Sequence, residues 1–419
     1  MRAFARRNEI RCARTFGQAL LAVLLAAAAS GAQGDVVTDW NAATYAVMRA
    51  VQVDGAPGAR ALAIVHVSMA DAVNTVQNRY TRYAYRGPLQ PSASAEVAAA
   101  SAARTALVAL WPAQKARIEE TYAAARRAIP DGPAADAGEA IGKEAAEAVL
   151  ADRANDNSSV PDTYRPLTSP GVWVPTTPPL TAQYARVKPW GFERPDQFRP
   201  GPPPALASVE YARDYNETKM LGAVGSTART KEQSDAVKFW SQPNIMEAWH
   251  QVSRQLASSQ KMGLAECARL FALMTMANAN TFIVDWDAKF HYNYWRPVTA
   301  IRNGDNDGND ATERDAGWTP LNTTPMHPEY PSQAAILAGA GTAALAAALG
   351  GAPNAPVSIA DSADPKLTRS LASVAALAEE QRLVRIWGGI HFRTSLEVSD
   401  RMGQAIVKHL AETTYRPVD

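Results

Sequence analysis

Residues 61–73 read ALAIVHVSMADAV. Apolar side chains recur there at steps of three and four, the period that puts them on one face of an α-helix. The same pattern continues over 95–128 and 134–150. It resumes over 205–221, 231–258 and 263–289, and again over 332–349, 367–384 and 396–413. Few stretches alternate or cluster β-branched residues as strands do. The pattern predicts an all-α fold built from helical bundles, with no internal repeat at a fixed period.

One segment interrupts this rhythm. Between 156 and 204 the chain carries Pro161, Pro166, Pro170, Pro175, Pro178, Pro179, Pro189, Pro195, Pro200 and Pro202 to Pro204. Proline removes an N–H and blocks helix interiors, so the segment reads as an irregular crossing. Trp173, Trp190, Phe192 and Phe198 lie within it, which predicts that it packs on the fold. The expected organisation is therefore a leader over 1–34, an N-terminal helical region over 35–155, the proline-rich crossing, and a C-terminal helical region over 205–419. These form one continuous globular unit.

The leader reads as an export signal. Arg2, Arg6, Arg7, Arg11 and Arg14 make a basic start, Ala19 to Ala29 is apolar, and Ser30-Gly31-Ala32 offers small residues for cleavage. The residues after Arg6-Arg7 fit a twin-arginine signal poorly, and no Cys follows to mark a lipoprotein. The expectation is a periplasmic or secreted protein. Cleavage would remove Cys12 and leave Cys267, which lies in an apolar helical pattern and reads as a buried small hydrophobe. A chain with 42 Lys plus Arg against 41 Asp plus Glu has no electrostatic footprint for nucleic acid or an anionic membrane. Any anion it binds is held by a local cluster. The run from Ala334 to Ala352 is apolar but dominated by Ala and Gly, so a buried core helix is expected there and no membrane span in the mature chain. No pattern fixes an oligomeric state. Asp305, Asp307, Gly308 and Asp310 hint at a calcium loop, but Arg314 stands where the bidentate Glu belongs, so a turn-rich loop is expected.

Three short stretches carry chemistry. The first runs from Lys289 to Arg296-Pro297. Its two cations are seven residues apart and would share a face of a continuous helix, which calls for an anionic partner. The second is His327-Pro328-Glu329-Tyr330-Pro331-Ser332-Gln333-Ala334. Ser332 is a natural N-cap before a long apolar helix, whose free N–H groups make an anion site. The third runs from Arg385 through Gly388-Gly389 to His391 and Arg393. Its glycines permit close backbone approach to a ligand, and His391 can act as nucleophile or metal ligand.

In that order, Lys-x6-Arg-Pro, Pro-Ser before a helix and Arg-x3-Gly-x-His resemble the three-part signature of vanadium-dependent haloperoxidases and type 2 phosphatidic acid phosphatases. The flanking text YWRPVTAIR, HPEYPS and RIWGGIHFR is similar to bacterial haloperoxidase-like members, and ARALAIVHVSMADAVN looks like their early helix. The resemblance implies an oxyanion site in the core of the C-terminal bundle. His391 would bind vanadate axially, or attack phosphorus in a phosphatase. Lys289, Arg296 and Arg385 would neutralise the equatorial oxygens, and the Ser332 hydroxyl and Gln333 N–H would hydrogen-bond them. Such donors stabilise a trigonal-bipyramidal centre, and vanadate mimics phosphoryl transfer.

The pattern also departs from that signature. Ala334 stands where the resemblance places an acid–base histidine, a role typically worth about 10²- to 10⁴-fold. Ser395 stands where an Asp often orients the nucleophilic histidine. His327, Glu329, His291 and Gln333 lie in or near the motifs as substitutes, with His327 the best placed for proton transfer. His66, His250 and His409 read as structural. The implied function is peroxide-dependent halide oxidation at a His-bound vanadate. The alternatives are a soluble acid phosphatase acting on phosphomonoesters through a phosphohistidine, with phosphate in the same site, and a non-catalytic phosphate-binding or structural relative.

Overall fold

The computed structural model describes residues 35–175, 178–241, 245–361 and 364–418. The basic and apolar leader, with Cys12, lies outside the described residues. Helices dominate, as the apolar period predicts. The chain begins with α1 (Val36–Ala50), which the sequence reading did not single out, and α2 (Gly55–Gln77). Helix α2 is buried on nearly every side, so it is a core helix with no polar face. The run 95–128 reads as one helix but folds as two, α3 (Ala95–Leu110) and α4 (Lys115–Arg126). Pro112 divides them, because its ring cannot continue a helix. Helix α5 (Pro133–Asp152) packs on α3 so closely that a methyl at Gly142 would overlap the Ala98 carbonyl.

Among its described residues the proline-rich segment holds two short 3-10 turns, at Ala182–Arg186 and Pro195–Phe198, and an isolated antiparallel bridge from Val172 to Tyr294. Trp173 and Trp190 are buried. The Arg153 guanidinium holds the segment down: it donates to the Lys188 and Pro189 carbonyls at 2.9 and 3.2 Å and lies 3.7 Å over the Trp190 ring.

Next come α6 (Val209–Gly222), α7 (Lys231–Trp240), α8 (Ile245–Ser259) and α9 (Leu264–Tyr292). The reading of 231–258 as one helix is therefore corrected to two. Helix α9 is long and apolar enough to cross a membrane, yet its most apolar stretch is entirely buried within the fold. It packs on α2 on one side and on α11 (Gln333–Leu349) on another. A short α10 (Pro297–Arg302) lies between them in sequence. After α11 the chain makes an antiparallel hairpin, β1 (Val357–Ala360) with β2 (Thr368–Leu371), where Val357 pairs with Leu371. A helix was expected from Leu367. It starts instead at Val374 as α12 (Val374–Trp387), capped by Ser373 Oγ, which accepts from the Ala376 N–H at 3.1 Å. The last helix, α13 (Arg393–Thr413), lies against α11 at small residues: a methyl at Gly403 would meet the Ile336 carbonyl.

A buried polar network ties four of these helices together. Asn41 bonds His66 Nε2 at 2.9 Å and His250 Nδ1 at 2.8 Å, and Asn278 bonds His250 Nε2 at 3.0 Å. His66 and His250 are thus structural. His409 packs against Phe192 and Phe198 and reaches the Gly191 carbonyl. Cys267 is buried. In the acidic loop, Asp307 accepts from Tyr211, Asn309 and Thr312, the pattern of a local turn.

Candidate oxyanion site

The three motif stretches converge, though not by the route that spacing suggested. Helix α9 ends at Tyr292, and Asn293 takes a left-handed conformation at φ 50°. Arg296 therefore lies beyond the helix, at the N-cap of α10, and the two cations do not share one helix face. They meet instead on the segment 327–331. Lys289 Nζ donates to the carbonyls of Pro328 at 2.9 Å and Glu329 at 3.1 Å, and also to that of Pro331. Arg296 Nε donates to the His327 carbonyl at 2.9 Å.

His391 follows the turn between α12 and α13. Gly389 makes that turn possible, since its φ of 75° is costly for any residue with a Cβ. The backbone at this glycine packs closely on Gly222 and Trp318. The His391 ring is buried and held at both nitrogens. Nδ1 lies 2.9 Å from Glu329 Oε1, and Nε2 lies 3.1 Å from Arg296 Nη1. Arg296 Nη2 lies 2.9 Å from His327 Nδ1, so one guanidinium holds both imidazoles. A guanidinium only donates, so both ring nitrogens facing it are acceptors. His391 is then protonated on Nδ1 and His327 on Nε2. Burial, reinforced by the neighbouring cations, holds both rings well below the usual histidine range, so both are neutral.

A cavity of about 480 Å³ opens on this cluster. His327, Gln333, Ala334, Arg385 and His391 line its polar side, while Trp240, Met246, Phe282 and Leu337 line its apolar side. Asp54 and Gly55, at the start of α2, also reach it, so the N-terminal helices contribute to its wall. Burial lowers Arg385 to about 10 and Arg296 to about 9, and each stays charged at neutral pH. Among the described residues, Arg385 Nε has no hydrogen-bond partner, nor has the Ser332 hydroxyl. Ser332 is at the N-cap position of α11 but does not cap it with its side chain; its own N–H donates to Ser399 Oγ at 2.7 Å. The Gln333 amide faces Thr281 and Asp285, with its nitrogen 2.9 Å from Asp285 Oδ2.

Two buried carboxyls complete the cluster, and sequence reasoning gave neither of them its place. Asp285 lies 3.7 Å from Lys289 and is pushed up to about 7 by burial. Its signal was available, since i and i+4 residues are neighbours on a helix. Glu329 accepts from His391 Nδ1, from the Phe392 N–H at 2.9 Å and from Ser395 Oγ at 2.7 Å. The sequence alone offers Glu329 only as a substitute for the missing acid–base group. His291 is exposed on α9 and meets the Tyr292 ring edge-on, and it is not among the residues lining the cavity. The cluster thus presents three cations, two carboxyls and two neutral imidazoles. The unpaired Arg385 Nε–H and Ser332 hydroxyl are donors that suit an oxyanion.

Residues 269–419 match a family model described as the VCPO second helical-bundle domain. The vanadium chloroperoxidase of Curvularia inaequalis is 25% identical over 173 residues, 35% of this chain. That match spans only 28% of the relative's length. A solved structure described as the first bacterial vanadium-dependent iodoperoxidase superposes with a TM-score of 0.74 at 21% identity, covering 92% of this chain and 97% of that one. A holo-type bacterial vanadium-dependent chloroperoxidase gives a TM-score of 0.67 at 19% identity, covering 86% and 92%. At such identities the structural likeness speaks for the fold.

Proposed function

We propose that the chain, whose fold and C-terminal segment are similar to vanadium haloperoxidases, is a member of that superfamily, binds vanadate at His391 and oxidises a halide with hydrogen peroxide. The observation that carries this reading is the His391 ring, which lines a cavity together with Arg385 and whose Nε2 is an acceptor facing Arg296. Bound vanadate would supply a Lewis-acid centre that activates peroxide toward the halide. Arg385 would donate its free N–H groups to the oxyanion. Arg296 would release the two imidazoles and turn its donors to the ligand. Lys289, held by three backbone carbonyls, would act through its charge. His327 would supply the acid–base function that the resemblance assigns to the position of Ala334: its Nε2–H is a donor on the cavity wall, where the Ala334 methyl can transfer no proton. The basic and apolar leader supports export to the periplasm or medium.

Calorimetric titration with orthovanadate, beside His391→Ala, tests the proposal. Saturable binding that the variant loses, followed by bromide oxidation with peroxide, is the expected result. Hydrolysis of a phosphomonoester without peroxide turnover would transfer the site to the phosphatase reading. Absence of vanadate binding by the intact protein would overturn the vanadium reading. His327→Gln is expected to leave vanadate affinity within a few-fold and to lower turnover by about 10²-fold or more.

A further inference from the structure

We propose that Glu329 is the positioning residue of His391, fixing its ring in the Nδ1–H tautomer and so presenting Nε2 to the ligand. The inference rests on the reading of His391 as the centre of an oxyanion site. It assigns to the second motif a task that the third motif, with Ser395, cannot perform alone.

The geometry is specific. Three donors converge on one buried carboxylate, and all three belong to the stretch that carries the nucleophile. They are the His391 ring itself, the Phe392 N–H and the Ser395 hydroxyl. Glu329, Ser395 and His391 are all nearly or wholly shielded from solvent, at 0%, 1% and 2% exposure. Phe392 is the N-cap of α13, so the carboxylate also faces the positive end of that helix. The other face of the ring agrees with that tautomer: Arg296 Nη1 lies 3.1 Å from Nε2 and can only donate, so the ring proton sits on Nδ1, and the Glu329 carboxylate that accepts it holds the ring in register with that donor. Ser395 then has a definite part. Its hydroxyl does not reach His391; it orients the carboxylate that does. A carboxylate bound to the remote nitrogen of a ligating imidazole sets both ring orientation and basicity. Residues 327 and 329 together place an imidazole and a carboxylate around the site from one turn of chain.

A purely structural Glu329, serving only as counter-charge to Arg296 and Lys289, would give different results. The first measurement is the ¹⁵N spectrum of the His391 ring in histidine-labelled protein, assigned by its loss in His391→Ala. This readout needs no ligand. The intact protein is expected to show a single Nδ1–H tautomer, and Glu329→Gln a mixture of the two. The second measurement is orthovanadate affinity, expected to fall about 10- to 100-fold in Glu329→Gln. The third is rescue: adding Ser395→Asp to Glu329→Gln returns a carboxylate to this corner and is expected to recover the tautomer and most of the affinity. If Glu329→Gln does not fold, Glu329→Asp keeps the charge but withdraws it, and a mixed tautomer is again expected. An unchanged Nδ1–H tautomer in the variants overturns the proposal. So does an unchanged affinity, or failure of Ser395→Asp to rescue in a folded double variant. If the intact protein binds no vanadate but the tautomer responds to Glu329, the dyad stands and the haloperoxidase reading falls.

Discussion

Acid is expected to unfasten the contact between α1, α2, α8 and α9 through the buried His66 and His250. His66 and His250 are fully enclosed and bonded through Asn41 and Asn278. Burial pushes His66 down to about 3 and His250 well below its ordinary range. The unfolded chain takes up these protons near pH 6.5 and the folded chain does not. Stability is therefore complete above about 6.5 and falls as the pH drops toward 3, by up to about 1.4 kcal/mol per pH unit for each histidine. By about pH 4.5, His66 alone removes roughly 2 to 3 kcal/mol, a large share of a typical folding free energy. The buried carboxyls of Asp285 and Glu329 act in the opposite sense, since burial raises them and protonation relieves the cost. Urea unfolding of the protein and of His66→Gln, followed by circular dichroism from about pH 7 to about pH 4.5, separates the effects. The carboxyls are common to both proteins and cancel in the difference. The variant is expected to lose stability less steeply, by about one histidine's share. Parallel curves for the two proteins would refute the reasoning. The site is involved because His250 belongs to α8, whose Ile245 and Met246 line the cavity.

Other substitutions test separate parts of the structure. Arg385→Ala is expected to raise the Kd for orthovanadate about 10- to 100-fold, the worth of a charged hydrogen bond, without lowering the urea midpoint, because its Nε has no partner among the described residues. Gly403→Ala forces a methyl against the Ile336 carbonyl and is expected to cost about 1–3 kcal/mol in urea unfolding. Arg153→Met keeps a stem near Trp190 but gives up the bonds to the Lys188 and Pro189 carbonyls. Limited proteolysis between residues 156 and 204 is then expected to accelerate by more than about tenfold, as roughly 1.5–3 kcal/mol of charged hydrogen bonding is lost.

The long apolar helices were legible because one period dominates them: α2, α9 and α11 all fall where spacing placed them. The errors arose where local signals were short. One proline divides α3 from α4, and a four-residue strand at Thr368–Leu371 merges with the helical pattern that follows it. His391, Arg385 and Gln333, which line one cavity, stand out in the sequence because they lie in recognisable strings. The partnership of Glu329 with His391 joins residues 62 apart, and no periodicity carries such a contact. Lys289 shows a further difficulty: its partners are mainly backbone carbonyls, which every residue possesses and no motif can mark.

Helix α9 has a consequence for how this architecture can be divided. At 29 residues it runs about 43 Å, and its flanks serve both α2 and α11. The matched family segment begins at residue 269, inside this helix. A boundary drawn by comparison therefore cuts through a shared beam. A fragment cut there would bare Phe271, which stacks on His66, and Asn278, which bonds His250. Inheritance of the C-terminal half alone would require that exposed flank to be rebuilt. The two halves are in this sense one mechanical object, and a change in the middle of α2 can reach the cavity through α9.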